Sequence, residues 1–236
     1  ALSARYRDVK CTIFGSLADP FYRALPLFQA QRTFEKVDAL DLPALKRLLE
    51  KEKPAFIING IGIIKQRREG KKAIPSITLN SLLPHLLAAW AGTWGGRLIH
   101  FSSDCVFSGK KGHYREEDAA DAEDLYGKSK FLGEVSGLAH ALTLRTAIIG
   151  RELGHFCSLL EWFLAQRGGQ VKGYQKVIYS GVTSNYLAEL VGRIICEHPD
   201  LSGLYQVTAP AISKHDLLVR LRAAYDLDIE IVADES

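Results

Sequence analysis

Short apolar runs alternate with stretches of helical period along the first 150 of this chain's 236 residues. That alternation is the signature of successive βαβ units, because each buried parallel strand needs a crossover helix to cover it. Strands are expected at Val9–Phe14, near Lys36–Val37, and at Ala55–Asn59, Arg97–Ser102 and Leu142–Ile149. The run Ala55–Asn59 is apolar on both faces, as an interior parallel strand should be. Between strands, Asp41 is placed to cap a helix over Leu42–Glu52. Leu42, Leu45, Leu48 and Leu49 give that helix one apolar face, and Pro54 stops it. A long helix is expected over Ser76–Ala91, bent or started at Pro84, and another over Leu125–Leu138.

After Gly150 the texture becomes less regular. Helices are expected over Ser158–Gln166, Asn185–His198 and Lys214–Tyr225, with short strands at Leu204–Val207 and Ile229–Val232. The fold class is therefore α/β, a doubly wound parallel sheet over residues 1–150 with a smaller C-terminal lobe over 151–236. Residues of about 180–198 are expected to return to the first domain. The lobe should cover the C-terminal edges of the strands, where open parallel sheets bind ligands. Trp162 and Phe163 are read as packing between the two parts.

Composition removes several classes of function. Thirty Lys and Arg against 27 Asp and Glu leave a net charge of +3, which does not call for a nucleic-acid partner. The basic run Lys65–Lys72 reads as a solvated loop. No apolar stretch reaches the ~18–20 residues of a membrane span, and the N-terminus has no signal-peptide core. Cys11, Cys105, Cys157 and Cys196 lie far apart, as buried residues of a reducing cytoplasm rather than a disulfide framework. No two of the seven histidines have metal-ligand spacing, so no metal is expected.

The chemistry concentrates in two segments. Tyr126 and Lys130, in YGKSK, lie four apart on an expected helix and so share one face. A free tyrosine titrates near pH 10, and a nearby cation favours its phenolate, so the pair suits acid–base work on an alcohol or ketone. The spacing alone says little, since Tyr6 and Lys10 match it too. Context favours Tyr126, which follows Ser102-Ser103-Asp104 at the end of the strand RLIHFS. There, Ser103 could polarise a substrate carbonyl, although all three residues could simply make turn hydrogen bonds.

With these segments read together, the chain resembles an extended short-chain dehydrogenase/reductase, and within that superfamily the dTDP-4-dehydrorhamnose reductase-like nucleotide-sugar reductases. The segments are FIIN followed by GIG, Asn80, FSSDCVFSG, YGKSKFLGE, LRTAIIG, YSGVTSN and SGLYQVTAP. The resemblance implies a Rossmann-like dinucleotide-binding domain and a substrate-binding lobe. It implies Ser103, Tyr126 and Lys130 as the catalytic set, with Lys130 lowering the tyrosine pKa and holding the nicotinamide ribose. Asp38 and Ala39 would touch the adenine, Asn59 and Gly60 line the cofactor, and Ala147 and Ile148 pass the nicotinamide. Asn80 would support the site.

The implied reaction is NAD(P)H-dependent reduction of the 4-keto group of a nucleotide-diphospho-6-deoxy sugar, feeding surface polysaccharide precursors. The alternatives are a non-catalytic NADP-binding regulatory subunit of the same fold, or a nucleotide-sugar epimerase or dehydratase. NADP(H) is preferred and NAD(H) allowed, because Phe14-Gly15-Ser16 ends the second strand of the family pattern with neither a carboxylate nor an arginine. The expected partner is the nucleotide sugar, with a homodimer left open.

Departures from the family pattern narrow the reading. The opening strand and glycine-rich turn of a dinucleotide site are absent from this sequence, which also has no methionine; both strand and turn are expected upstream of Ala1. Cys105 replaces a usual tyrosine and Ile148 a tryptophan, so the implied sugar is one other than the rhamnose precursor, an N-acetylated sugar among the candidates. The dehydratases' Asp-Glu pair is here Asp104-Cys105, which favours plain ketone reduction.

Overall fold

The computed structural model describes residues 8–25, 28, 30–66, 68–154 and 156–236. They divide into two compact units. The first runs to Arg145 and takes in Ala188–Gln206; the second comprises Thr146–Leu187 and Val207–Ser236.

The first unit is Rossmann-like. Its main sheet is parallel, in the order β10 (Gly203–Gln206), β5 (Ala141–Arg145), β4 (Arg97–Ser102), β3 (Phe56–Asn59). β4 lies inside it, with Leu98, Ile99 and His100 almost wholly buried. After a short helix α1 (Pro20–Arg23), β3 follows the helix α2 (Leu42–Glu52), which Asp41 caps by accepting from Ala44 N at 3.0 Å. Lys53, at a left-handed φ of 42°, ends that helix one residue before Pro54. A second parallel pair joins β1 (Cys11–Thr12) to β2 (Thr33–Phe34). Among the described residues β1 pairs only with β2, and β3 only with β4. The strand expected to be interior thus has one edge unpaired among the described residues, and its Ile58 is 37% exposed. The core joins Leu45 of α2 to Ile57, Leu98 and Ala141 of the sheet and to Leu83, Leu87 and Ala88 of a covering helix. Burying each such leucine stabilises the unit by about 1.5–3 kcal/mol.

Several elements differ from expectation for local reasons. Val9–Phe14 narrows to Cys11–Thr12. The next strand falls at Thr33–Phe34 instead of Lys36–Val37, because Lys36 takes a left-handed φ of 54° that no extended strand allows. The expected Ser76–Ala91 helix begins earlier, at α3 (Ala73–Ser76). It then loosens into a π-helical turn over Ile77–Leu82 and resumes as α4 (Leu83–Gly92), with Pro84 in the first turn. The helix α5 (Leu125–Leu132) stops well short of Leu138, at Gly133. The Leu142–Ile149 strand is broken. β5 leaves its partner after the pairing of Ser102 with Arg145, and Ile148–Ile149 (β6) pairs instead with Val182–Thr183 (β9).

The second unit has its own core of Phe163, Val171, Leu218, Leu227 and Ile229. Here α6 (Leu159–Leu164) and α8 (Lys214–Ala224) cover the parallel pair β7 (Gln170–Tyr174) and β12 (Glu230–Asp234). Phe163 is fully buried in this core and Trp162 is 42% exposed, so the two do not act as one packing feature. β8 (Ile178–Tyr179) pairs antiparallel with β11 (Ile212–Ser213). The helix α7 (Ser184–Glu197) carries the chain from the second unit back to the first. Among the described residues no helix is long and apolar enough to cross a membrane.

Candidate active site

The site grows from the C-terminal end of β4. Ser103 leaves the strand and caps a 3-10 turn over Asp104–Val106, its Oγ accepting from Cys105 N at 3.1 Å and donating to Asp104 Oδ1 at 3.3 Å. Turn hydrogen bonding is therefore one real role of this serine. α5 begins at Asp124, whose carboxylate accepts from Gly127 N at 2.6 Å. Gly127 lets this helix lie against the serine turn, since a Cβ there would stand 2.3 Å from Cys105 O and 2.4 Å from Ala122 Cβ. Tyr126 is thereby brought close enough to Ser103 for the serine hydroxyl to favour its phenolate. One turn further along, Lys130 Nζ donates to Phe101 O at 2.6 Å. A phenol, a hydroxyl and an ammonium thus meet at one strand end.

Their electrostatics differ from expectation. Burial pushes the Tyr126 phenol up to about 12, while the Ser103 hydrogen bond pulls the other way and Cys105, Asp104 and Asp124 add to the rise. No lowering by Lys130 offsets that rise, and the lysine ammonium donates to the Phe101 carbonyl. The expected lowering of the tyrosine pKa is thus absent from this protein alone. Lys130 itself is held at about 8 by burial, with Glu134 opposing that fall. At neutral pH the phenol is a proton donor and Lys130 is mostly a cation. The Cys105 thiol is pushed up by burial and by Asp104, so it is a poor nucleophile.

The remaining expected residues are spread more widely. Asn80 is fully buried in the π-helical turn and bonds Ile63 and Ser129. Asn59 is buried as well. Its Oδ1 accepts from Ile61 N at 3.0 Å and its Nδ2 lies 3.1 Å from His100 Nδ1, so its side chain serves the strand end. Gly60 is exposed, with open space where a Cβ would stand. Asp38 accepts from Leu40 N at 2.9 Å in a tight turn, and Ala39 packs on the core. Ala147 and Ile148 belong to the second unit, where Ala147 O accepts from Val182 N and Ile148 is 48% exposed. Tyr6 lies outside the described residues, and Lys10 is ion-paired with Glu52.

A carboxylate does reach the turn after β1, contrary to the reading of Phe14-Gly15-Ser16. Glu35 accepts from Ser16 Oγ and from Leu17 N, each at 2.6 Å. It follows directly on the neighbouring strand β2, which the linear reading of one segment does not reveal. Glu134 and Arg145 were also missed. The signal for them was a lone arginine inside the apolar strand LTLRT, since buried charges are rare without a partner.

A parallel α/β sheet with a Tyr-x-x-x-Lys helix beside a strand-end serine has the architecture of an extended short-chain dehydrogenase/reductase. Within that class, residues 22–219 match the model of the RmlD substrate binding domain, and the chain belongs to this family. Its fold is similar to a hypothetical dTDP-4-dehydrorhamnose reductase from Sulfolobus tokodaii, with TM-score 0.77 and 21% identity over 97% of this chain and 86% of that one. It is also similar to the Bacillus anthracis dTDP-4-dehydrorhamnose reductase solved in complex with NADP, with TM-score 0.76 and 17% identity over 97% and 84%. In sequence it is 34% identical to methionine adenosyltransferase 2 subunit beta of Xenopus tropicalis, over 56% of this chain and 37% of that protein. The chain thus spans well under half the length of that curated relative.

Proposed function

We propose that the protein is an NAD(P)H-dependent reductase acting on the 4-keto group of a nucleotide-diphospho-6-deoxy sugar. The observation that carries this reading is the convergence of Ser103, Tyr126 and Lys130 at the end of β4. The residues present fit the ribose end of a nicotinamide cofactor. Lys130 has three donors and spends one on Phe101 O, and the other two meet no acceptor among the described residues, as a ribose diol would require. Asp38, Ala39, Gly60, Ala147 and Ile148 are carried as further cofactor contacts in the same proposal. NADPH is the preferred reductant, supported by the NADP complex of the Bacillus anthracis relative, with NADH also accepted.

When bound, the reduced cofactor supplies a hydride to the keto carbon. Ser103 donates a hydrogen bond to the carbonyl oxygen and polarises it. Tyr126, neutral because burial disfavours its phenolate, gives its proton to that oxygen as negative charge develops there. The phenol is then reprotonated from solvent, while Lys130, anchored on Phe101 O, would hold the ribose. Ketone, hydride and proton would together give the alcohol. Cys105 and Ile148, where the family usually has aromatic side chains, support a sugar other than the rhamnose precursor.

The test is NADPH oxidation with a panel of 4-keto nucleotide sugars, for the parent and for Tyr126→Phe. The variant should bind NADPH normally and turn over at least about a hundredfold more slowly. A Tyr126→Phe protein reducing the sugar at the parental rate would remove this reading. The similarity to methionine adenosyltransferase 2 subunit beta favours a second one, a non-catalytic subunit of another enzyme. A stoichiometric co-purifying partner and no NADPH oxidation would establish it.

A further inference from the structure

Lys130 and Glu134 leave the same end of α5 four residues apart and land on consecutive residues of β4. Lys130 Nζ donates to Phe101 O at 2.6 Å, and Glu134 Oε1 accepts from Ser102 Oγ at 2.7 Å. Arg145, opposite Ser102 in the sheet register, grips the same carboxylate with both arms, Nε to Oε1 and Nη2 to Oε2, each at 2.7 Å. The two side chains are only 4% and 5% exposed. The guanidinium also donates to Glu116 O at 3.2 Å and lies 5.0 Å from the centre of the Phe107 ring, which stacks on Tyr114. One ion pair therefore touches the strand that ends at Ser103, the helix that carries Tyr126 and Lys130, and the segment joining them.

We propose that Glu134, locked by Arg145, is a positioning residue that holds the Lys130 ammonium in its charged form and in place at the end of β4. This rests on the reading of Ser103, Tyr126 and Lys130 as a reducing site. Stability alone does not require a charged pair here, because apolar side chains of similar volume often hold a buried site as well. The groups around Lys130 are Tyr126 from its own helix, Glu134 just beyond the end of that helix, His100 from β4, and Arg145 from β5 behind the carboxylate. Of these, Glu134 carries the negative charge. His100 is kept neutral by burial and by the Lys130 charge itself. Glu134 is also the residue that opposes the burial-driven fall in the lysine's pKa.

The experiment reads Lys130 directly and needs neither substrate nor cofactor. The full chain is acetylated with trace acetic anhydride over a range of pH, and the Lys130 peptide is quantified by mass spectrometry. The midpoint should lie near 8 in the parent. It should fall by roughly half to one pH unit in Glu134→Gln, and by less in Glu134→Asp, which keeps the charge but withdraws it. Circular dichroism reports whether each variant is folded. A midpoint unchanged from the parent in folded Glu134→Gln overturns the proposal. If that variant does not fold, an unchanged midpoint in Glu134→Asp does so instead. A reductase reading lost through the Tyr126→Phe test would leave these midpoints as measured, so the two failures are separable.

Discussion

Asn80 reaches from the π-helical turn to the helix of Tyr126 and Lys130, its Nδ2 donating to Ser129 Oγ at 3.1 Å. The same carboxamide accepts from Ile63 N at 2.8 Å and donates to Ile63 O at 3.0 Å. One side chain thus fastens the segment after β3 to α5. The extra residue in a π turn re-aims the side chains around it, and such turns occur often at functional sites. Asn80→Ala strands a buried N–H and a buried carbonyl at Ile63, each costing about 1–3 kcal/mol. Urea unfolding should show a loss of about 2–4 kcal/mol, with slower NADPH-dependent turnover. A variant as stable as the parent would mean that water replaces the carboxamide without cost.

Gly133 ends α5 where that helix crosses the π turn. A Cβ on it would lie 1.9 Å from Asn80 O, a backbone atom that cannot swing aside. Gly133→Ala must therefore displace either the helix end or the turn, although alanine is ordinarily the better helix former. The expected result is destabilisation of about 2 kcal/mol or more, as for other overpacked sites. A thermal melt equal to the parent's would show that the crossing is looser than the structure has it.

The legible parts were those fixed by local chemistry. Asp41, Leu42 to Leu49 and Pro54 define α2 to the residue, because cap, apolar face and stop are all local. β4 was equally plain, being mostly apolar and buried over most of its length. The Ser103, Tyr126 and Lys130 convergence followed from a strand end and a helical spacing. What escaped depended on partners distant in sequence. Arg145 ends β5 because the chain changes partner to Val182–Thr183, which no pattern within LTLRTAII reveals. The short strands Ile178–Tyr179 and Ile212–Ser213 exist only through each other. The tyrosine's high pKa depends on how deeply packing buries the phenol, which residue spacing leaves open.

Burial holds the Lys130 pKa at about 8, against 10.5 for an ordinary lysine. A lowered value means the folded state binds this proton more weakly than the unfolded chain. Its destabilising effect is therefore full below about pH 8 and fades as pH rises towards 10.5. Lys130→Met removes that effect but leaves Phe101 O without its donor. Lowering a pKa by one costs the charged form about 1.4 kcal/mol, and stranding the buried carbonyl costs about 1–3. Near neutral pH the variant should be more stable than the parent by up to about 2 kcal/mol, an advantage that disappears by about pH 10. Turnover should be lost at every pH. Denaturant titrations at the two extremes decide it, and a variant destabilised near neutral pH would show that Lys130 is better solvated than its surroundings imply.

Glu35 offers a last test, on the choice of cofactor. Ser16 and Leu17 hydrogen bonds hold its carboxyl below the usual glutamate range, so it is an anion at neutral pH. It sits at the turn after β1, where the family resemblance puts the adenosine ribose. A carboxylate there can accept from a ribose 2′-hydroxyl, which lets NADH bind as well, and it tempers the preference for the 2′-phosphate of NADPH. Glu35→Gln keeps an acceptor for Ser16 and Leu17 while removing the charge. The ratio of NADPH to NADH affinity, read from the fluorescence of each reduced cofactor on binding, should rise several-fold. The rise should shrink as salt is added, since Glu35 is open to solvent and its field is screened. An unchanged ratio would place the adenosine ribose away from this turn.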